Sequence, residues 1–186
     1  MDVLVISFVA ALVAAWSDKT QLVTAMLAER TQRPLLVFVG LFLALAASNV
    51  VAGIAGIYVG QMINPRAATL LTALALLFAG GSGLIRRRAP KPATLRLPLL
   101  TAFILCLAAE MGDRTQFLTF ALAGRYDSAP FAAAGATAGA LAACLPALVL
   151  GEELQKATPF RAIRYVGAAL FLIAGFIVAV QALRLT

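Results

Sequence analysis

Two short polar segments interrupt long apolar stretches of the sequence, and they hold the residue types that bind cations. Residues 18–21 read Asp-Lys-Thr-Gln, and residues 113–116 read Asp-Arg-Thr-Gln. Glu110 lies three residues before the second segment, so in a continuous helix it would share one face with Asp113. Arg114 follows Glu110 by four residues, and we expect the two to pair. The segments therefore predict a polar face within each apolar helix.

Charged groups at membrane depth are energetically expensive and usually mark a functional site. Carboxylate, amide and hydroxyl oxygens, without sulfur or imidazole, suit hard cations such as Ca²⁺, Mn²⁺ or Mg²⁺. The same carboxylates could take up protons when the metal leaves, so competition between metal and proton is the simplest basis for exchange. The candidate cation ligands are Asp18, Thr20, Gln21, Asn49, Glu110, Asp113, Thr115 and Gln116, and the candidate charge partners are Lys19 and Arg114.

Other interpretations are open for the charged residues and for Asn49. The acidic and basic side chains could be structural ion pairs that only cross-link helices. Asn49, which lies inside the second apolar stretch, could complete the coordination shell or make a hydrogen bond between packed helices. Two matching polar segments with accompanying amides and hydroxyls favour an ion site over structural pairs.

The high hydrophobic content of the chain indicates that these polar segments lie within a membrane protein. The chain has 186 residues, of which 62% are hydrophobic and 12% charged, with a mean hydropathy of +0.96. This excludes a soluble globular protein, which is about one quarter charged. Six apolar stretches are long enough to cross a bilayer as helices: 3–28, 34–60, 66–85, 97–123, 129–152 and 160–183. The sequence predicts an all-α integral membrane protein with six transmembrane helices.

The absence of histidine excludes the usual zinc sites, histidine-based catalytic triads and histidine proton relays. No nucleophile–base pair is evident, so we do not expect an enzyme, and no cofactor is predicted. The net charge of +7 is explained by basic loops rather than by nucleic-acid binding. The loops after the first, third and fifth stretches carry ten basic residues against three on the opposite side. Both termini should therefore lie outside the cytoplasm.

The sequence also repeats itself at an offset of 95 residues, which aligns the two polar segments with each other. Each half contains three apolar stretches, so the second half must enter the membrane from the opposite side. We expect an inverted-topology repeat, an architecture of many secondary transporters. The predicted units are a first three-helix repeat over 1–85, a basic cytoplasmic linker over 86–96 and a second three-helix repeat over 97–186.

Residues 110–115, Glu-Met-Gly-Asp-Arg-Thr, resemble the E-x-G-D-[KR]-[TS] signature of the Gdt-type cation/proton exchangers. These are Golgi calcium/manganese transporters in eukaryotes and manganese exporters in bacteria, and their members typically carry the signature twice. The resemblance implies a central cation site lined by Asp18, Glu110 and Asp113. The first copy departs from the pattern, because Ala15 stands in place of the glutamate and Ser17 in place of the glycine. Three intramembrane carboxylates remain instead of four.

These observations together predict a secondary transporter that exports a divalent cation, Mn²⁺ before Ca²⁺, in exchange for protons. The expected location is the cell inner (plasma) membrane, and the expected partners are divalent cations, protons and the lipid bilayer. Monomer and homodimer are both left open. Two other functions are compatible with the residues: a passive divalent cation channel, and an exporter of an organic cation or amino acid.

The predicted topology can be tested by labelling single cysteines introduced into a variant that lacks the two native ones. A cysteine at Ala89 should react with a membrane-impermeant reagent only from the cytoplasm, and one at Ser128 only from the outside. Labelling of both positions from the same side would contradict the inverted repeat.

Overall fold

The computed structural model describes residues 1–16, 18–85, 97–151, 153–154 and 158–183. The predicted linker over 86–96 and Ser17 lie outside these residues. The described part of the chain forms helices and contains no strand. The helices are α1 (Asp2–Ala15), α2 (Lys19–Thr31), α3 (Pro34–Met62), α4 (Pro65–Leu84), α5 (Pro98–Glu110), α6 (Arg114–Tyr126), α7 (Ala129–Leu150) and α8 (Phe160–Leu183).

Four of these helices are long and apolar enough to cross a membrane, namely α3, α4, α7 and α8, with 29, 20, 22 and 24 residues. A helix of about 20 residues covers the ~30 Å of hydrocarbon in a bilayer. Their ends lie within a few residues of the predicted limits. The pair α1 and α2 forms a fifth candidate span, and α5 is a shorter apolar helix. The chain is therefore an all-helical, multi-pass membrane protein.

The prediction that the first and fourth stretches are continuous helices is wrong. The first breaks between α1 and α2, whose axes differ by 68°, and the fourth breaks between α5 and α6. At the second break Met111 and Asp113 are extended, and Gly112 has a φ of +69°. Glycine adopts this left-handed conformation without steric penalty, and aspartate is favoured as the residue that precedes a helix.

The breaks change how the polar segments are presented. Asp18 and Asp113 each precede the first residue of a new helix, while Glu110 is the last residue of α5. Glu110 and Asp113 therefore do not share one face of a single helix, as the three-residue spacing had suggested. They lie instead on the two sides of a helix break.

Glycines bring the backbones of neighbouring helices into close contact, and the contacts are reciprocal at the offset of 95. Gly40 of α3 packs on the Leu99 carbonyl of α5, where an added Cβ would lie 2.6 Å from the oxygen. Gly135 of α7 packs in the same way on the Leu4 carbonyl of α1. Residues 40 and 135, and residues 4 and 99, are both separated by 95 positions.

The same reciprocity joins α4 and α8. A Cβ at Gly80 would lie 2.6 Å from Leu172 Cγ, and a Cβ at Gly175 would lie 2.9 Å from Leu77 Cγ. Small residues at such crossings let membrane helices approach closely, which is a main source of association energy in lipid.

Replacement of Gly139 tests the contribution of this packing to stability. An alanine there would place its Cβ against the Phe8 carbonyl, whereas Gly81 has nothing within 4 Å of an added Cβ. We expect Gly139→Ala to reduce the free energy of unfolding by about 1–3 kcal/mol through overpacking. Gly81→Ala, the matched control, should leave it unchanged or slightly higher. Thermal unfolding in detergent measures both, and equal stability of the two variants would contradict the close crossing.

Candidate cation site

The two helix breaks bring three carboxylates into the interior of the bundle. Asp18, Glu110 and Asp113 are each no more than 1% exposed. Asp18 and Asp113 lie at the N-terminal ends of α2 and α6, where the peptide dipoles present partial positive charge. Neither carboxylate accepts a capping hydrogen bond from its own helix. Their negative charge is thus directed to other partners.

The basic residue of each segment pairs with the aspartate of the other segment. Lys19 Nζ lies 3.9 Å from Asp113 Oδ1, and Arg114 Nη2 lies 3.6 Å from Asp18 Oδ1. The predicted pairing of Arg114 with Glu110 is therefore wrong. That prediction needed a continuous helix, and the break places Arg114 in the first turn of α6 instead.

Lys19 also interacts with the end of a helix. Its Nζ donates to the carbonyl oxygen of Ala109 at 3.4 Å, in the last turn of α5. The C-terminal end of a helix has carbonyls without helical partners and carries partial negative charge, so it attracts a cation. The α5 end and the Asp113 carboxylate therefore both attract positive charge.

Glu110 has one oxygen that is engaged and one that is not. Oε1 accepts a hydrogen bond from the Thr20 hydroxyl at 2.5 Å, which links α5 to α2. Oε2 is buried and has no hydrogen-bond partner among the described residues. Glu110 also interacts electrostatically with Asp113, Asp18 and Lys19. The three carboxylates and a basic group thus influence one another through a low-dielectric interior.

The two predicted glutamine ligands make different hydrogen bonds. Gln116 Oε1 accepts from the Gly112 backbone N–H at 2.9 Å and so supports the turn at the second break. Gln21 Nε2 donates to the Ala143 carbonyl at 2.6 Å, which joins α2 to α7. Both amides therefore hold the broken helices in place, and their role as ligands stays a prediction.

Asn49 lies between three helices. Its Oδ1 accepts from the Thr119 hydroxyl at 2.9 Å, and its Nδ2 donates to the Thr137 hydroxyl at 3.3 Å. These contacts correspond to the helix-packing interpretation of Asn49, and its role as a ligand stays a prediction. The hydroxyl of Thr115 is buried without a hydrogen-bond partner among the described residues, so its oxygen is available to an ion.

A cavity of about 530 Å³ reaches the second break. Gly112, Asp113 and Gln116 border it on one side, and its remaining walls are apolar: Val51, Ala52, Ala55, Phe78, Phe117 and Phe120. Met111 is 69% exposed, whereas its counterpart at the offset of 95, Trp16, is only partly exposed. The turn of the second break is therefore exposed and borders the cavity, whereas the Arg114 side chain beside it is more buried than Lys19 at the first break.

Within the described residues, no group of three or more His, Cys, Asp or Glu side chains is arranged so that it could hold a metal ion. Lys19 and Arg114 also lie against two of the three carboxylates. Cation binding by these carboxylates thus stays a prediction, and it would require the basic groups to move.

Sequence reasoning also missed three polar residues next to Glu110: Thr24, Cys106 and Cys144. Both cysteines interact electrostatically with Glu110 and are fully buried, and the Thr24 hydroxyl donates to the Thr20 carbonyl one turn earlier on α2. The spacing contained a signal, since Cys106 precedes Glu110 by four residues and so shares its face of α5.

A membrane fold with charged groups buried at two broken helices is typical of membrane transporters. A family model described as "Divalent cation/proton antiporter GDT1" matches residues 3–91 and 98–185. The chain belongs to this family.

A curated relative from Vibrio cholerae serotype O1, described as "Putative manganese exporter", is 32% identical over 176 residues. The alignment covers 93% of this chain and 88% of the relative. No solved structure is significantly similar to the chain.

Because each basic residue pairs with the aspartate of the other segment, substitutions in these ion pairs should have a specific pattern of effects on stability. Asp18→Asn leaves Arg114 buried beside a neutral amide, so we expect it to reduce the free energy of unfolding by about 3 kcal/mol or more. Adding Arg114→Gln to Asp18→Asn should restore part of that loss, since the unpaired charge is gone. The effects of Glu110→Gln and Arg114→Gln should be closer to additive. Chemical unfolding in detergent measures the cycle, and stronger coupling of Arg114 to Glu110 than to Asp18 would contradict the observed pairing.

Proposed function

We propose that the chain is a secondary transporter that exports Mn²⁺ in exchange for protons, with Ca²⁺ as a second substrate. The observation that carries the proposal is the crossed pairing of Lys19 with Asp113 and of Arg114 with Asp18. Each pair joins the two helix breaks, so a change at one break is felt at the other.

In this proposal the two basic side chains are tethered counter-ions of the substrate. Without a cation they neutralise Asp113 and Asp18. A divalent ion that enters through the cavity beside Asp113 carries twice the charge of one basic group, so it attracts the carboxylates more strongly at equal distance. Lys19, with a side chain 25% exposed, can withdraw more easily than Arg114, whose side chain is 6% exposed. We therefore expect Lys19 to leave first.

Protons complete the exchange. Three carboxylates and two basic groups leave one net negative charge when all are ionised. When the cation departs, the basic side chains pair again with Asp113 and Asp18, and a proton from the opposite side of the membrane neutralises the one negative charge that is left. Such competition for one set of oxygens couples cation movement to proton movement without a second binding site.

The inverted repeat is part of the same proposal. The reciprocal glycine contacts of α3 with α5 and of α7 with α1 support two related units over 1–85 and 97–186. The two segments of the family match, 3–91 and 98–185, support the same division. In an inverted pair, the second break, which borders the cavity, and the first break would exchange roles as the transporter turns to the other side. In this proposal the protein lies in the inner membrane, and both of its termini are outside the cytoplasm.

The preference for Mn²⁺ is supported by the number of carboxylates and by the relative. Ala15, at the end of α1, stands where a fourth carboxylate would lie. Ca²⁺ takes six to eight oxygen ligands and gains most from additional carboxylates. A site with three carboxylates therefore favours the smaller Mn²⁺, and the Vibrio cholerae relative is described as a manganese exporter.

Mn²⁺ uptake into proteoliposomes with a controlled pH gradient tests the proposal. We expect the gradient to drive uptake, and Asp113→Asn and Glu110→Gln each to abolish it, because each removes a charge and a proton-binding group while keeping the shape. Asp127→Asn is the matched control, since this carboxylate is exposed at the end of α6 and asparagine tolerates its φ of 50°.

Three outcomes would contradict the proposal. Near-normal transport by both site variants would make the buried acids structural. Uptake that is independent of the pH gradient would identify a passive channel. Competition by organic amines in place of metal ions would identify an organic-cation exporter.

A further inference from the structure

The guanidinium of Arg114 lies between an aspartate and the end of a helix. Its Nη2 is 3.6 Å from Asp18 Oδ1 at the first helix break. Its other terminal nitrogen, Nη1, would lie 3.1 Å from a Cβ built at Gly83, which is in the last turn of α4. Nη1 therefore occupies space that a side chain at position 83 would crowd, and the guanidinium contacts both the first break and α4.

The Asp18 carboxylate does not satisfy all the donors of Arg114. A guanidinium has five N–H donors, and a charge-assisted hydrogen bond to a carboxylate measures about 2.7–2.9 Å. The distance from Arg114 to Asp18 is longer than this, and Arg114 Nε is buried without a hydrogen-bond partner among the described residues. Arg114 is only 5% exposed, so little water replaces the missing acceptors. The guanidinium thus keeps donors for a second partner.

The last turn of α4 is such a partner. The final carbonyls of a helix lack intrahelical donors, and this end of a helix carries partial negative charge that attracts cations. The helix ends at Leu84, so Gly83 lies within this turn. Lys19 has a comparable contact in the same molecule, since its Nζ donates to the Ala109 carbonyl in the last turn of α5. Each basic group therefore lies against the end of a helix as well as an aspartate.

We propose that the last turn of α4 binds the Arg114 guanidinium when a cation takes its place on Asp18, and that Gly83 is the positioning residue that opens this turn to it. The movement is short, because Nη1 already lies at the turn while Nη2 faces Asp18. A buried charge that loses its partner is strongly destabilising, so a second place for the guanidinium favours cation binding. This inference rests on the proposed function, in which a cation displaces the basic groups.

The opening beside Arg114 occurs in one half of the chain. At the offset of 95, Arg114 corresponds to Lys19 and Gly83 corresponds to Val178. The glycine thus accompanies the planar guanidinium, which needs more room than a compact ammonium. Gly81, two residues earlier on α4, has nothing within 4 Å of an added Cβ. Contact with Arg114 is therefore a property of position 83 and not of every glycine in this turn.

Mn²⁺ uptake into proteoliposomes with a controlled pH gradient tests the role of Gly83. The added methyl group of Gly83→Ala crowds Nη1 and so favours the position on Asp18, where the guanidinium competes with the cation. We expect the KM for Mn²⁺ to rise by about three- to tenfold, with a smaller change in the maximal rate. In an Arg114→Lys background the same substitution should leave the KM unchanged, because the ammonium is more compact. Gly81→Ala, the matched control, should leave the KM unchanged in the native background.

A second contact of the new methyl group needs its own control. A Cβ at Gly83 would also lie 3.1 Å from the Cβ of Ala168 on α8. Ala168→Gly removes this contact and leaves the one with Arg114, so the rise in KM should persist in the Gly83→Ala/Ala168→Gly double variant. Loss of the effect in the double variant, or an equal effect in the Arg114→Lys background, would overturn the proposal. The methyl group would then act through the packing of α4 on α8.

Isothermal titration of the purified full-length protein with MnCl₂ in detergent separates this inference from the proposed function. We expect Gly83→Ala to weaken Mn²⁺ binding by about three- to tenfold, and Gly81→Ala to match the native chain. This result in a chain that does not exchange Mn²⁺ for protons would refute the proposed transport and keep the role of the α4 turn. Unchanged Mn²⁺ binding and uptake in Gly83→Ala would overturn the inference and leave the proposed function in place.

Discussion

The need to neutralise charge inside an apolar bundle governs this structure. Three carboxylates and Arg114 are buried between the helices, and Lys19 is only partly exposed, so burial removes most of the water that would otherwise solvate their charges. The charges are neutralised by ion pairs between the two segments: Lys19 pairs with Asp113, and Arg114 pairs with Asp18. The helix breaks place Asp18, Glu110 and Asp113 at helix ends, from which the two segments meet at a shared centre.

The close glycine contacts hold that centre together. Half-helices of 13 or 14 residues are too short to be stable in isolation as rigid supports, and each is packed along a long neighbouring helix. Gly40 and Gly135 let α3 and α7 approach α5 and α1 at backbone distance. Gln21 and Gln116 secure the breaks themselves through hydrogen bonds to backbone groups. Packing and polar contacts thus position the carboxylates together.

The sequence predicted those features that depend on composition alone. Apolar runs of more than 20 residues specify helices such as Pro34–Met62 almost to the residue, because burial in lipid leaves few alternatives. The breaks were missed because hydropathy does not register helix capping, although Gly112 followed by Asp113 contains the signal. The error in the partner of Arg114 has the same origin, since the four-residue rule holds only within one helix. Contacts between the halves, such as Asn49 with Thr119 and Thr137, depend on tertiary packing that no local pattern specifies.

The crossed pairs also bear on how the chain is made. During translation, Asp18 and Lys19 reach the membrane before Asp113 and Arg114 have been synthesised. The nascent first half therefore holds a carboxylate and an ammonium whose final partners do not yet exist, and it must keep them near water or pair them with each other. Insertion of the second half releases this constraint. The buried centre therefore assembles only after the second half has been synthesised, because each crossed pair needs one residue from each half.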